Sequence, residues 1–383
     1  MNHRLLPLAF LCLAFSPAAM AADEAPNPLK EAFQLAAKGD MEGAAKIIKK
    51  EAEGGNAEAA NAYGELLLGN AKSKNAPLDA LPWFQKAAEQ SHPAGLYNLA
   101  LLNYQGGEGI PKDEDQGRFL LKSSAEAGYA PAQYQMGVLL DAEAVRADKP
   151  AGYIDAIVWL EKAAEQGHAG ALFTASTYYQ QGLGGKPKDM PKSTELCGKA
   201  ARAGSAMAMN EYAVRLQKGV GVEADAIAAI GYFIGASQAG IPAAQTNLGN
   251  AFENGVGVRQ DFNQAGTYYA AAAKQGFRAA EFLLAQMFEE GRGTEVDYVK
   301  AYTLYGRAAA GKIEEAVKRQ EAIKGKLTEN QRTAADKAIA EEIKKSQPAE
   351  KAPEKPADTD AAATAEKPAD APKTEAPKTE APK

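Results

Sequence analysis

The chain has 383 residues, 46% hydrophobic and 24% charged, with 36 Gly, 20 Pro and a formal charge of −6. Its length leaves room for two or three unrelated domains unless an internal period joins them into one. Its acidic balance forfeits the phosphate neutralisation that drives nucleic-acid binding, so DNA and RNA are excluded as expected partners.

Arg4 precedes an apolar run over 5–15, followed by Ser16-Pro17 and the small-residue pattern Ala19-Met20-Ala21. These are the three parts of a secretory signal, with cleavage expected after Ala21. The run falls well below the roughly 20 residues of a membrane-crossing helix, and Cys12 follows Leu11 rather than a small residue, so neither a membrane anchor nor a lipid anchor is expected. Removal of 1–21 leaves Cys197 as the lone cysteine, which rules out an intrachain disulfide even in an oxidising compartment. The expected location is the periplasm of a Gram-negative bacterium, or beyond it by secretion.

Residues 22–55 are predicted to form an N-terminal capping hairpin, with Leu29, Phe33, Leu35 and Ala36 on one helix, Gly39-Asp40 as the turn, and Ala44, Ile47 and Ile48 on the next. A phrase then recurs: Lys86-Ala87-Ala88-Glu89-Gln90-Ser91, Lys162-Ala163-Ala164-Glu165-Gln166-Gly167, Lys199-Ala200-Ala201-Arg202-Ala203-Gly204. Counted from Gly55, the closing residues are spaced 36, 37, 39, 37, 36, 36 and 35 apart, ending at Gly311. Seven units therefore tile 56–311, as 56–91, 92–128, 129–167, 168–204, 205–240, 241–276 and 277–311. Such a period means a solenoid.

In each unit a small residue four after the closing position (Ala59, Gly95, Ala132, Ala171, Ala208, Ala244, Ala280) is followed by a larger one and then another small one, as in Tyr63-Gly64, Met136-Gly137 and Leu248-Gly249. This order cuts a notch into one helix face, which bulky substitutions at Gly137 or Gly249 should fill to the detriment of stability. Gly-x-Gly segments at Gly182, Gly219, Gly255 and Gly291 end the first helices. Asp79, Asp113, Asp189, Asp225, Asp261 and Asp297 are the expected N-caps of the second helices, with Pro82 and Pro191 in the first turn. The first unit has Asn70-Ala71-Lys72-Ser73-Lys74 in place of the glycine turn, and the third has a longer glycine-free stretch over 142–150. Both are expected to protrude.

On these residues, and on Ala244, Leu248, Gly249, Phe252, Gly255, Gly257, Asp261, Tyr268, Ala272, Ala273 and Gly276 in particular, the chain resembles the Sel-one-like repeat family, a relative of the tetratricopeptide repeat. The resemblance implies an exported bacterial member, an all-α solenoid of antiparallel helix hairpins, and binding of a protein or peptide without enzymatic activity. Some family members in pathogens engage host proteins, so a secreted or surface-exposed factor is the alternative.

Residues 312–346 are expected to cap the far end, with Thr328-Glu329-Asn330-Gln331 as a capping box. Residues 347–383 contain no Val, Ile, Leu, Met, Phe, Tyr or Trp and are expected to be disordered, as a solubilising spacer or as a tether that contacts the cell wall or a partner.

No catalytic constellation, metal site or cofactor is expected. His92 and His168 occupy equivalent positions in different units, whereas zinc needs three or four ligands in one small sphere. Cys197, aligned with Trp83, Trp159, Tyr232 and Tyr268, is expected in the core as an inert thiol rather than a nucleophile. The Gly-x-Gly turns join helix to helix with no preceding strand, which excludes a dinucleotide loop.

By analogy with related helix-hairpin repeats, the concave wall is built from three first-helix rows. The first is Asn61, Tyr97, Tyr134, Phe173, Asn210, Thr246 and Phe282, and the second Glu65, Leu101, Val138, Thr177, Val214, Asn250 and Gln286. The third is Leu68, Tyr104, Asp141, Gln180, Gln217, Glu253 and Glu289. Tyr97, Leu101, Tyr104, Tyr134, Val138 and Phe173 are thus the candidate partner-binding residues, since aromatics supply much of the affinity at interfaces. Packing against the adjacent hairpin accounts for the same residues equally well.

Overall fold

The computed structural model describes residues 28–69, 73 and 75–346. The expected signal segment, most of the first unit's turn and the expected tail lie outside the described residues. Among those described, α-helices follow one another in antiparallel pairs and no strand forms beyond an isolated bridge between Gly107 and Ile110.

α1 (Pro28–Ala37) and α2 (Met41–Glu53) lead the stack. The repeat hairpins are α3 (Ala57–Leu68) with α4 (Ala76–Glu89), α5 (Pro93–Gln105) with α6 (Glu114–Glu126), α7 (Ala130–Ala147) with α8 (Gly152–Glu165), and α9 (Ala169–Gln181) with α10 (Met190–Arg202). They continue with α11 (Ala206–Lys218) and α12 (Ala226–Gln238), α13 (Pro242–Asn254) and α14 (Phe262–Lys274), and α15 (Arg278–Glu290) and α16 (Tyr298–Ala309). α17 (Glu314–Ile323) and α18 (Glu329–Ser346) both pack on α16. At the start of α18 the Thr328 amide donates to Gln331 Oε1 at 2.9 Å, one half of the capping box.

Five of the six expected aspartate caps are in place: Asp113, Asp189, Asp225, Asp261 and Asp297 each accept a backbone amide at the head of their helix. Asp79 does not cap, because α4 begins at Ala76 behind Asn75, and Asp79 instead accepts from the Ser73 hydroxyl at 3.1 Å. For the same reason Pro82 lies inside α4 rather than in its first turn, and removes one helical hydrogen bond there. The long stretch in the third unit is not a protruding turn through most of its length. With no glycine to stop it, and with Ala, Glu and Arg to propagate it, α7 runs on to Ala147 and turns at Asp148, left-handed at φ +48°.

The hairpins close on left-handed residues: Gly55, Gly128, Gly167, Gly204, Gly240 and Gly276, but Ser91 at φ +57° and Lys312 at +63°. The last closing residue is therefore Lys312, one later than expected. Gly311 is small for another reason, since a Cβ there would lie 2.6 Å from Cγ of Arg278. Ser91 and Lys312 are both exposed and hold a conformation that L side chains adopt at a cost. Ser91→Gly and Lys312→Gly are each expected to stabilise the fold by about 0.5–1 kcal/mol, read as an upward shift of the thermal midpoint.

With that register corrected, the residue seven before each closing position is Phe84, Leu121, Leu160, Cys197, Phe233, Tyr269 and Tyr305, and every one is buried. These side chains fill the first-helix notches. A Cβ on Gly64 would lie 2.6 Å from Phe84, one on Gly137 2.7 Å from Leu160, and one on Gly249 2.5 Å from Tyr269. Cys197 thus belongs with this row, and its neighbour Leu196, itself buried, is the one aligned with the half-buried Trp83, Trp159, Tyr232 and Tyr268.

The two glycines of each Gly-x-Gly turn do different work. The first (Gly182, Gly219, Gly255, Gly291) is the left-handed C-cap of its helix. The second lies against the first turn of the preceding hairpin's second helix, so that a Cβ on Gly184 would be 2.6 Å from the Tyr153 carbonyl oxygen and one on Gly221 2.6 Å from that of Met190. Stacking, not only helix termination, demands it.

Candidate partner-binding wall

The first helices lie side by side and bond laterally from unit to unit: Asn98 to Asn61 at 2.9 Å, Tyr178 to Asp141 at 2.5 Å, Arg215 to Gln180 at 3.0 Å and Asn247 to Asn210 at 3.0 Å. The second helices turn side chains outward, among them Phe119 at 65% and Ile227 at 77% exposure. The three predicted rows all lie on this layer of first helices.

All six candidate residues are half-buried. Tyr97 on α5 meets Tyr129, at the head of α7, edge to face with ring centroids 5.5 Å apart. One unit on, Tyr134 lies 4.6 Å from the His168 ring and covers Gly170, where a Cβ would come within 2.9 Å of the phenol. Phe173 continues this row against the buried cluster of α8 to α11. Burial, and then the phenol of Tyr134, pushes the Tyr97 hydroxyl up from its ordinary pKa. Tyr104 lays its ring against Gly117 of α6, and its buried hydroxyl has no hydrogen-bond partner among the described residues. Leu101 and Val138 are outside the buried clusters. The aromatic residues thus pack between hairpins within the layer of first helices.

The polar continuation of the wall is largely consumed internally. Asp141 accepts from Tyr178, Glu253 pairs with Arg292 and accepts from Tyr269 at 2.5 Å, and Glu289 accepts from Tyr305 at 2.5 Å and pairs with Arg319 at 2.9 Å. Sequence reasoning missed Tyr129 and Asn98, which join the wall from outside the predicted rows. Asn98 stands one residue after Tyr97, the equivalent of Asn61 one unit on, so the repeat spacing did not point to it.

The groups considered for chemistry have structural roles. His92 and His168 cap α5 and α9, each accepting a backbone amide on Nδ1 at 3.2 Å, from Gly95 and Ala171. Burial lowers both pKa values below the ordinary 6.5. The unfolded chain therefore takes up these protons first, and the caps' contribution, complete above about pH 6.5, is lost as pH falls through the folded values. Asn56 makes the same cap in the first unit at 3.0 Å. His92→Asn with His168→Asn should keep both caps, each worth about 1 kcal/mol, while flattening the stability loss between pH 7 and 5 in urea titrations. A double variant with the parent's pH slope would refute this origin. Cys197 is buried, which pushes its thiol up to about 12. No group of three or more His, Cys, Asp or Glu among the described residues is placed to hold a metal.

A separate cavity of about 640 Å³ opens between α8, α9 and α10, lined by Tyr179, Leu196, Lys199 and Arg202 among others. None of the six candidate residues borders it. Among the described residues no helix is long and apolar enough to cross a membrane.

The Sel1 repeat family model matches residues 57–92, 93–129, 130–168, 170–205, 206–241, 242–277 and 278–312. A protective antigen of uropathogenic Escherichia coli with an SLR fold superposes with a TM-score of 0.67 at 29% identity, covering 79% of this chain and 64% of that one. A Sel1 repeat protein of Oxalobacter formigenes gives a TM-score of 0.52 at 25% identity, covering 80% of this chain and 98% of that one. The chitin synthase regulatory factor 3 of Schizosaccharomyces pombe is 30% identical over 215 residues, 52% of this chain but only 22% of the yeast protein. The chain thus spans under two thirds of the antigen and about a fifth of the fungal relative. With seven consecutive matches across about two thirds of its length, on an α-solenoid of the same architecture, the chain belongs to the Sel1 repeat family.

Proposed function

We propose that the protein is a non-enzymatic scaffold or regulator of the bacterial periplasm that binds a protein or peptide on its inner wall. Repeats of this kind generally mediate protein–protein interaction. The observation that carries the assignment to this wall is the aromatic ladder of Tyr97, Tyr134 and Phe173, one side chain per unit at the same helical position, with Leu101 and Val138 beside it outside every buried cluster. Capture depends on these residues. Tyr97→Ala with Tyr134→Ala removes two large contacts, but their rings also pack on Tyr129 and His168, so this variant is expected to lose about 2–4 kcal/mol of stability as well. Leu101→Gln with Val138→Gln should abolish capture with the thermal midpoint nearly unchanged. A Gln variant that still retains the full set of envelope proteins in a pull-down would sink the reading.

The second reading is a secreted or surface-exposed factor that binds a host protein, favoured by the likeness to a protective antigen. Cell fractionation separates the two: retention in the periplasm supports the first, and protease accessibility on whole cells or release into the medium supports the second. On either reading the partner is a protein, not nucleic acid. The 347–383 tail serves as a spacer, or contacts the cell wall or other envelope components.

A further inference from the structure

The three inner rows carry no Lys, Arg or His and four carboxylates, Glu65, Asp141, Glu253 and Glu289. Three of these are occupied from within the protein: Asp141 by the Tyr178 hydroxyl, Glu253 by Arg292 and Glu289 by Arg319. Glu65 stands apart. It is half-buried and makes no ion pair among the described residues, yet it is held in place by two carboxamides. Asn61 and Asn98 each donate from Nδ2 to its Oε1 at 3.0 Å, and Asn98 also donates to Asn61 Oδ1 at 2.9 Å. Asn61 is itself buried at 6% exposure, so the wall spends a buried amide on orienting this carboxylate. Oε2 accepts no hydrogen bond from the described residues.

The Tyr97–Tyr129 ring pair begins one residue along α5 from Asn98, which holds this carboxylate. Tyr129 feels it directly: after burial, the charge of Glu65 is the next cause holding the Tyr129 hydroxyl up at about 12. His92 also feels Glu58 and Glu65, but burial outweighs them and lowers its pKa from the ordinary 6.5. A fixed carboxylate that has no ion pair among the described residues, with aromatic rings on the neighbouring unit, is a combination that attracts a cation, through charge pairing and through the ring quadrupole. Because Asn61 and Asn98 already hold the carboxylate, little ordering remains to be done on binding.

We infer that Glu65, with Tyr97 and Tyr129, is a receptor for a lysine or arginine side chain, and that the partner on the inner wall is a basic peptide segment. This rests on the proposed peptide-binding role of the wall and adds the partner's charge. The three rows agree with it, carrying no Lys, Arg or His of their own.

The test uses the mature chain and three labelled peptides, acetyl-(Lys-Ala-Pro)3-amide and its Gln and Glu counterparts, followed by fluorescence anisotropy at low and high salt. The Lys peptide is expected to bind about tenfold tighter than the Gln peptide, to weaken as salt rises, and to bind the Glu65→Gln variant no better than the Gln peptide does. Glu65→Gln keeps an oxygen for Asn61 and Asn98, so its melting curve should match the parent's. Asn98→Ala, which frees the carboxylate, should give an intermediate loss. A Lys preference that survives Glu65→Gln overturns the inference, as does failure of the Lys peptide to bind at millimolar concentration. If all three peptides bind alike and Leu101→Gln with Val138→Gln abolishes all of them, the wall binds peptides but Glu65 is not a cation receptor.

Discussion

Gly257→Ala is expected to cost about 2–4 kcal/mol, the largest effect of adding a single methyl group anywhere in the described stack. Two independent terms add. The residue sits at φ +74°, where an L side chain is strained, and its Cβ would lie 2.7 Å from the carbonyl carbon of Ala226 and nearer still to the oxygen. The obstacle is backbone in the first turn of α12, which cannot swing aside as a side chain would. Gly255→Ala, two residues earlier at φ +69°, meets nothing closer than 3.4 Å and so reports the dihedral cost alone. Urea denaturation of the two variants separates the terms. Equal losses would mean that the inter-hairpin contact at Gly257 is relaxed without cost.

Glu281→Ala is expected to destabilise by about 3–5 kcal/mol. Glu281 is fully buried on α15, where Arg278 Nη1 reaches it at 2.9 Å and Arg307 Nη2 of α16 at 2.5 Å, while Arg307 also donates to the Ala273 carbonyl of α14 at 3.3 Å. The carboxylate thus ties three helices of two units together. Its removal takes the buried carboxylate away from two half-buried guanidinium groups, which costs more than the pair contributes when intact. Adding Arg307→Met to Glu281→Ala should restore part of the loss, because one orphaned charge goes with it. A double variant no better than the single one would show that the stabilisation lies in side-chain packing and not in the charge pairing.

The helix pairs, their order and most of their caps were legible because they depend on neighbours close in the chain. Asp225 caps α12 through an amide three residues away, and Gly255 ends α13 through its own dihedral freedom. Where local signals were weak or conflicting, the reading slipped. Asp79 looked like a cap only because α4 was expected to start late, and the Ala-rich 142–147 stretch looked like a turn only because the other units turn there. Cys197 was set in the neighbouring row by one residue, an error that costs little in a sequence pattern but exchanges a half-buried position for a fully buried one.

The candidate wall was legible as rows of residues but not as a surface. Spacing placed Tyr97, Tyr134 and Phe173 at one helical position, and nothing in it could say that the rings also pack on Tyr129 and His168 of the next unit. Nor could it separate Glu253 and Glu289, neutralised by Arg292 and Arg319, from Glu65, which has no ion pair among the described residues.

From its residues alone the chain determined a seven-unit helical array, because hydrophobic period, capping and glycine placement are short-range physics repeated every 36 or so positions. Only the tertiary structure decided why the second glycine of each turn is needed, which carboxylates are paired, and which one makes no ion pair among the described residues. Those outcomes depend on groups 30 to 40 residues apart meeting within a few ångströms, and such meetings are set by how one hairpin stacks on the next.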